Sequence, residues 1–257
     1  CTGGEPWTEK PWKWLFEFIG KSKVPIMNSA GGTEVSGSIL HCCLHRPFKV
    51  GSFNAPIPGM SADILTLDGK KVSIDEMGEL VMRKSSIGLT KSLWNDDDRY
   101  IKNYWSIIKD FWVHGDLASK DKDGHWFLHG RSDDTIKVSG KRIGPSELES
   151  VIVKSGKAKE VAAVGIPDEN KGSKIILSIV LLENSEEKES YFENLVINDL
   201  GKSFKPDKII FVKDLPKTRN MKIMRRVIKS CLTKEDPGDI STLLNPESVE
   251  EIRAHAI

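Results

Sequence analysis

The spacing of apolar positions divides this chain into two textures. Up to about residue 143 the apolar residues come in short runs and alternating pairs. Residues 11–20 (PWKWLFEFIG) predict a short amphipathic helix, with Pro11 at its start and Gly20 as its stop. VPIMNSA (24–30) predicts a buried strand that leads into GGTE (31–34). Residues 63–67 and 72–74 flank DGKK and predict a hairpin, and 95–109 predict a helix capped by Asn95 or an aspartate. FWVHGDLASKDKDGHWFLHG and TIKVSGKR alternate apolar and polar positions around Asp-Gly and Ser-Gly turns, which predicts strands.

From Pro145 the texture becomes alternating helix and strand. PSELESVIVKSG predicts a helix with proline in its first turn and Gly156 at its end. EVAAVGIP and KIILSIVLLE predict strands, 187–200 a helix, DKIIFVK another strand, and NPESVEEIRAHAI a closing helix with an Asn-Pro start. The change of texture places a domain boundary near Asp133, in the charged turn GRSDD.

Composition narrows the function. Apolar residues make up 39% of the 257 positions and include seven tryptophans, enough for a real core. Lys and Arg number 38 against 37 Asp and Glu, a net charge of +1. That balance argues against wholesale attraction to nucleic acid or an anionic membrane. No apolar run reaches the roughly 20 residues of a membrane-spanning helix. Cys1, Cys42, Cys43 and Cys231 lack disulfide or CxxC spacing, and HCCLH (41–45) lacks paired, correctly spaced zinc ligands, so reduced cytoplasmic thiols are expected. With no signal peptide and an opening on Cys1 rather than Met, the chain is expected to be part of a longer protein.

Three stretches carry candidate chemistry. In GGTE, two glycines allow backbone N–H groups to approach an anion, Thr33 adds a hydroxyl, and Glu34 offers a hard oxygen suited to Mg²⁺. The same letters also make an ordinary turn. Asp116 follows a glycine at a strand end, where a carboxylate can accept two hydrogen bonds from a vicinal diol; Arg131 follows another glycine fifteen residues later. A plain surface ion pair is the alternative. DLPKTRNMKIMRR (214–226) holds five basic side chains, and Lys222 is followed by apolar residues of a packed turn. A lysine so mounted could serve as a point charge for a phosphate transition state, or simply belong to a solvated basic helix or a nucleic-acid patch. The cluster is short and lacks interleaved aromatics, which argues against nucleic acid.

Taken in order, GGEPW, GGTE, GEL, the block from His114 to Glu147, LPKTRNMKIMRR and GDISTLLNPESVEEI resemble the adenylate-forming superfamily, most closely its acetyl-CoA synthetase-like acyl-CoA synthetases. The resemblance implies the end of a large AMP-binding domain over 1–132, α/β with a distorted β-barrel portion. A small mobile α+β domain over 133–257 follows, with a three-stranded sheet covered by helices and a hinge at Asp133. It implies ATP, Mg²⁺ and CoA as cofactors, and a carboxylic acid activated as acyl-adenylate and then passed to CoA. Gly4, Glu5, Pro6 and Asn28 would line the adenine pocket, Thr33 contact the α-phosphate, and Glu34 hold Mg²⁺. Asp116 and Arg131 would grip the ribose. Lys222 would bridge carboxylate and α-phosphate, and the loop's other basic residues would mainly face solvent or CoA phosphates. Ser139 and Gly140 would admit the pantetheine arm, with Arg142 meeting phosphate in either state.

The chain also departs from the pattern. The Ser/Thr/Gly-rich phosphate loop is absent, so the 257 residues alone are expected to show little or no catalysis. Gly31 stands where acetate-specific members carry tryptophan, which implies an acyl pocket for acids larger than acetate. Met221 replaces a glycine, implying a different local backbone or no need for one, and Ile197 replaces an arginine that meets CoA. A domain loading a carrier-protein thiol and a non-catalytic nucleotide-binding module are the rival readings. The oligomeric state is left open.

Overall fold

Alternating apolar and polar positions become antiparallel sheet throughout the first of two units, Cys1–Asp133 and Asp134–Ile257. The computed structural model describes residues 1–4, 7 and 9–257. The opening helix α1 (Glu9–Trp14) passes into a π-helical turn, Leu15–Ile19, that closes where the Gly20 N–H meets Leu15 O at 2.9 Å. Strands β1 (Ser29–Gly32), β2 (Gly37–His41) and β3 (Ala55–Pro56) form one antiparallel sheet. The strand expected over 24–30 is much shorter than its apolar run: it begins at Ser29, Val24 is exposed, and Asn28 makes only an isolated parallel bridge to Thr2. Pro25, which has no N–H to donate, keeps the run from forming a ladder.

A second sheet takes β4 (Ala62–Leu65), β5 (Gly78–Met82), β6 (Trp112–Lys120) and β7 (Trp126–Arg131), in that order. The DGKK hairpin forms as far as Val72, with Thr66 N–H on Lys70 O at 2.8 Å, Leu65 bridged to Lys71 and Val72 N–H on Ile64 O at 3.5 Å, but 72–74 do not continue as a strand. β4 pairs with β5, whose five residues are all buried, whereas Ile74 stays exposed. Burial chose the partner. The expected long helix is likewise short: α2 (Asp97–Tyr100), capped by Asp96 accepting from Arg99 N–H, ends in a π-helical turn at Trp105. Reciprocal hydrogen bonds between Phe53 and Trp126, at 2.9 and 2.8 Å, tie the segment before β3 to β7. Val35, Ile39, Leu80, Met82, Trp112 and Trp126 lie in the shared core. Both sheets are open, so the expected barrel portion takes the form of two antiparallel sheets.

One corner of this unit is held by charge. Asp121, at the β6–β7 turn, accepts from the N–H groups of Asp123 and His125 at 3.0 and 2.8 Å and pairs with Lys49 at 2.7 Å. Burial would push its carboxyl pKa up; the ammonium and the N–H donors outweigh that and bring it down to about 2.

The second unit opens with a hairpin of β8 (Ile136–Val138) and β9 (Lys141–Ile143), followed by α3 (Pro145–Lys154), β10 (Ala158–Asp168), β11 (Gly172–Leu181), α4 (Glu189–Leu200), β12 (Lys208–Phe211), α5 (Arg225–Leu232) and α6 (Glu247–Arg253). Its three-stranded sheet runs β10-β11-β12, antiparallel then parallel. The nearly continuous apolar run of β11 is explained by burial on both faces. Ile175, Leu177 and Ile179 pack with Leu148, Ile152, Phe192 and Val196 of α3 and α4. Ile176 and Val180 point the other way and pack with Val227, Ile228, Val249 and Ile252 of α5 and α6. The pleat thus builds two cores from one strand.

Candidate functional site

The first unit gathers most of the residues singled out for the nucleotide. Asp116 and Arg131 are register partners across β6 and β7, with an Arg131 Nη1 to Asp116 Oδ1 distance of 3.6 Å. Arg131 also donates to His114 O at 2.9 Å and to Asp133 Oδ1 at 3.0 Å. Gly115 makes this possible: at φ +84°, a Cβ there would lie 2.6 Å from the guanidinium. His114, which the sequence reading passed over, is buried with its Nε2 3.3 Å from Asp116 Oδ2. The two Asp116 oxygens therefore face a cation-capable group on one side and a guanidinium on the other.

Glu34 lies near this pair. A Cβ on Gly32 would fall 3.1 Å from Glu34 Oε2 and 3.2 Å from His114 Cε1, so the GGTE turn reaches the end of β6. Thr33–Val35 form a 3₁₀ turn that leaves Thr33 exposed and Glu34 half-buried. Tyr104, also missed from the sequence, stacks on Trp112 at 5.3 Å and hydrogen-bonds Glu34. Burial first, then the Glu34 charge and that hydrogen bond, push its phenol pKa upward. No group of three or more His, Cys, Asp or Glu side chains is arranged for a metal among the described residues. A Mg²⁺ at Glu34 would thus take one protein carboxylate and complete its shell from phosphate and water, which suits that ion.

Asn28 is the most telling of the adenine candidates. It is 3% exposed, its Nδ2 donates to Ser52 O at 3.0 Å, and its buried Oδ1 accepts no hydrogen bond among the described residues. It lines a small cavity with Thr2, Gly3, Trp7, Phe53 and Leu128. A buried acceptor left unfilled costs about 1–3 kcal/mol, which a ligand donor would recover. Gly4 sits nearby in sequence with φ +106° and open space where a side chain would be. Glu5 and Pro6 lie outside the described residues.

At Gly31 a Cβ would be 2.0 Å from Gly37 O and 2.6 Å from Ser38 Cα, and β1 is bulged against β2 between Ala30 and Gly31. The glycine permits close approach of two strands there, so this backbone accepts no side chain at the position expected to widen an acyl pocket.

In the second unit, Ser139 (φ +49°) and Gly140 (φ +82°) form the exposed tip of the β8–β9 hairpin, and Arg142 is exposed beside it. Lys222 is exposed, with no hydrogen bond or ion pair to its side chain among the described residues. The basic loop as a whole is not the solvated cluster expected. Arg225 makes a bidentate pair with Glu149 at 2.9 and 2.7 Å, Arg226 reaches Pro237 O and Asp239 O, and Lys217 is buried among carboxylates. Among the described residues, Arg219 and Lys222 are the two of the five without such anchoring. Met221 requires a correction: its φ is +64°, so the backbone keeps the left-handed conformation and methionine bears a cost of roughly 1–2 kcal/mol.

Comparison with known proteins gives these features a class. Residues 147–222, ending on Lys222, match the family described as AMP-binding enzyme C-terminal domain. Residues 147–222 thus carry the pattern of that C-terminal domain, and the chain as a whole is similar to acetyl-coenzyme A synthetases. It is 38% identical to the acetyl-coenzyme A synthetase of Methanothrix thermoacetophila, over 97% of this chain and 39% of that protein. The acetyl-coenzyme A synthetase of Pasteurella multocida is also 38% identical, over 97% of this chain and 40% of that protein. The chain thus spans about two fifths of the length of the curated relatives it matches. Among solved structures, acetoacetyl-CoA synthetase from Streptomyces lividans shares the fold with a TM-score of 0.83 at 22% identity, covering 98% of this chain and 40% of that one. An anthranilate CoA ligase in complex with anthranoyl-AMP matches with a TM-score of 0.73 at 26% identity, over 89% of this chain and 43% of that one. No helix among the described residues is long and apolar enough to cross a membrane.

Proposed function

We propose that this chain supplies the nucleotide-holding and cation-bearing parts of an AMP-forming acyl-CoA synthetase. The observation that carries the reading is the buried, unfilled Asn28 Oδ1 beside its small cavity, suited to the exocyclic amine of adenine. Asp116, steadied by His114 and Arg131, accepts the two ribose hydroxyls. Thr33 and the glycines before it meet the α-phosphate. Mg²⁺, held through Glu34, neutralises phosphate charge when bound.

The chemistry needs little else from these residues. A carboxylate is a poor electrophile until its oxygen attacks the α-phosphate of ATP, forming acyl-adenylate and releasing pyrophosphate. Negative charge grows on the transferring phosphoryl oxygens, and Lys222, an exposed ammonium with no partner among the described residues, is the group that answers it. A CoA thiol then displaces AMP, with Ser139 and Gly140 giving the pantetheine arm a side-chain-poor edge and Arg142 a charge for phosphate. Asp133, whose carboxylate Arg131 holds, is the hinge residue in this scheme.

Titration calorimetry of the chain with ATP and with a non-hydrolysable acyl-adenylate analogue tests the nucleotide site. Asp116→Ala is expected to weaken binding by about 1.5–3 kcal/mol, the worth of hydrogen bonds to a charged acceptor. Unchanged affinity in a folded variant would remove the ribose assignment.

A further inference from the structure

We propose that Lys217 is a positioning residue: with Glu160, Asp214 and Asn245 it fixes the base of the loop that carries Lys222, so that the Lys222 ammonium is presented in one orientation. The inference rests on the role given to Lys222 above and adds a device that the sequence, with its uniform run of basic residues, hides.

The two lysines stand five residues apart in opposite environments. Lys217 is 5% exposed, with Nζ 2.8 and 3.1 Å from the Glu160 oxygens and 2.6 Å from Asp214 Oδ1. Its main chain is held as firmly as its side chain. The N–H donates to Asn245 Oδ1 at 3.0 Å, and the carbonyl accepts from Leu244 N at 2.8 Å. Asn245, 5% exposed, closes the network by donating to Asp214 Oδ2 at 2.7 Å and to Leu215 O at 2.8 Å. Strand β10 and the segment before α6 thus grip the loop at one point. Burial alone would lower the Lys217 pKa and raise that of Asp214; pairing with Asp214 and Glu160 reverses the first, and the Lys217 ammonium with the Leu215 N–H and Asn245 donors reverses the second.

From this base the loop folds tightly back on itself. Lys217 and Ile223 form a bridge, and Thr218 N–H donates to Lys222 O at 2.9 Å. Met221 N–H donates to Thr218 O at 2.8 Å, Lys222 N–H to Thr218 Oγ1 at 3.2 Å, and Met224 N–H to Pro216 O at 2.8 Å. The left-handed Met221 sits at the turn, a strained residue that persists only where its surroundings hold it. A buried ion pair adds little net stability over apolar packing, but it specifies geometry, which is what a catalytic cation requires.

Hydrogen exchange on the whole 257-residue chain tests the device. In Lys217→Met, the amides of Thr218, Met221, Lys222 and Met224 are expected to exchange about tenfold faster or more, while β10 and β11 amides keep their protection. Glu160→Gln, which leaves Asp214 in place, should show the same pattern at smaller size and guards against a Lys217→Met variant that does not fold. Loop amides as protected as in the wild type, or loop and sheet accelerated by one common factor, would overturn the proposal. In a protein of the relatives' full length carrying these residues, Lys217→Met should lower kcat for acid-dependent ATP–pyrophosphate exchange about tenfold with the KM for ATP within about twofold. A loosened loop with unchanged kcat would overturn the positioning role. If Lys222→Ala itself leaves exchange intact, the preceding reading of Lys222 fails and the catalytic half of this proposal with it, while the exchange pattern still reports on the network.

Discussion

Lys222→Ala, in a protein of the relatives' full length carrying these residues, is expected to reduce acid-dependent ATP–pyrophosphate exchange by about 10²–10³-fold, the usual loss when one preorganised donor to a developing oxyanion is removed. The effect is electrostatic. The side chain is exposed, free of protein partners among the described residues, and mounted on a loop whose base is tied at Lys217. It therefore meets a reacting phosphoryl oxygen without first breaking an ion pair. Transfer of the acyl group from a preformed adenylate to CoA develops its charge on the carbonyl oxygen and the departing AMP, a step in which this reading gives Lys222 no part, and should change by no more than about threefold. Equal loss in both half-reactions would mean that the variant damages folding or adenylate binding rather than charge stabilisation.

The largest expected effect on stability comes from Glu149. Both of its oxygens accept from the Arg225 guanidinium, at 2.9 and 2.7 Å, and Oε1 also accepts from Ala163 N–H at 2.9 Å. One side chain of α3 thereby joins α5 to β10. The Glu149 and Arg225 side chains are 13% and 14% exposed, so removing the carboxylate takes two charge-assisted hydrogen bonds from a largely buried guanidinium. Glu149→Ala should lower the stability of the second unit by about 3 kcal/mol, read from the slowest-exchanging amides of β11. A loss below about 1 kcal/mol would mean that the pair behaves as a surface contact.

Much of this was legible in the sequence, for definite reasons. The block from His114 to Glu147 could be read because strand side chains alternate and its turns carry Gly at positive φ, as at Gly124 and Gly140. The same alternation put Asp116 opposite Arg131. The three-stranded sheet over helices followed from the length and spacing of apolar runs after Pro145. What escaped was tertiary. Nothing local distinguishes Lys217 from Lys222, since burial beside Glu160 depends on a strand 57 residues away. His114 looked like one more polar position on a strand, though it lies two residues from Asp116 inside a stretch already singled out. Gly31 was legible as a missing side chain, while the close approach of Gly37 that requires a glycine there is a tertiary fact. VPIMNSA misled because apolar content was weighed above the missing N–H of Pro25. Met221 misled in the opposite direction: a residue type was taken to fix a backbone angle that the network around it imposes instead.

Product identity tests the central claim most directly. ATP, Mg²⁺, a panel of short carboxylic acids and CoA are supplied to a full-length protein carrying these residues, and the nucleotide and acyl products are resolved by mass spectrometry. The account expects AMP and pyrophosphate in step with acyl-CoA, and acyl-adenylate when CoA is withheld. ADP with inorganic phosphate, or acyl-CoA without any acyl-adenylate, would contradict it.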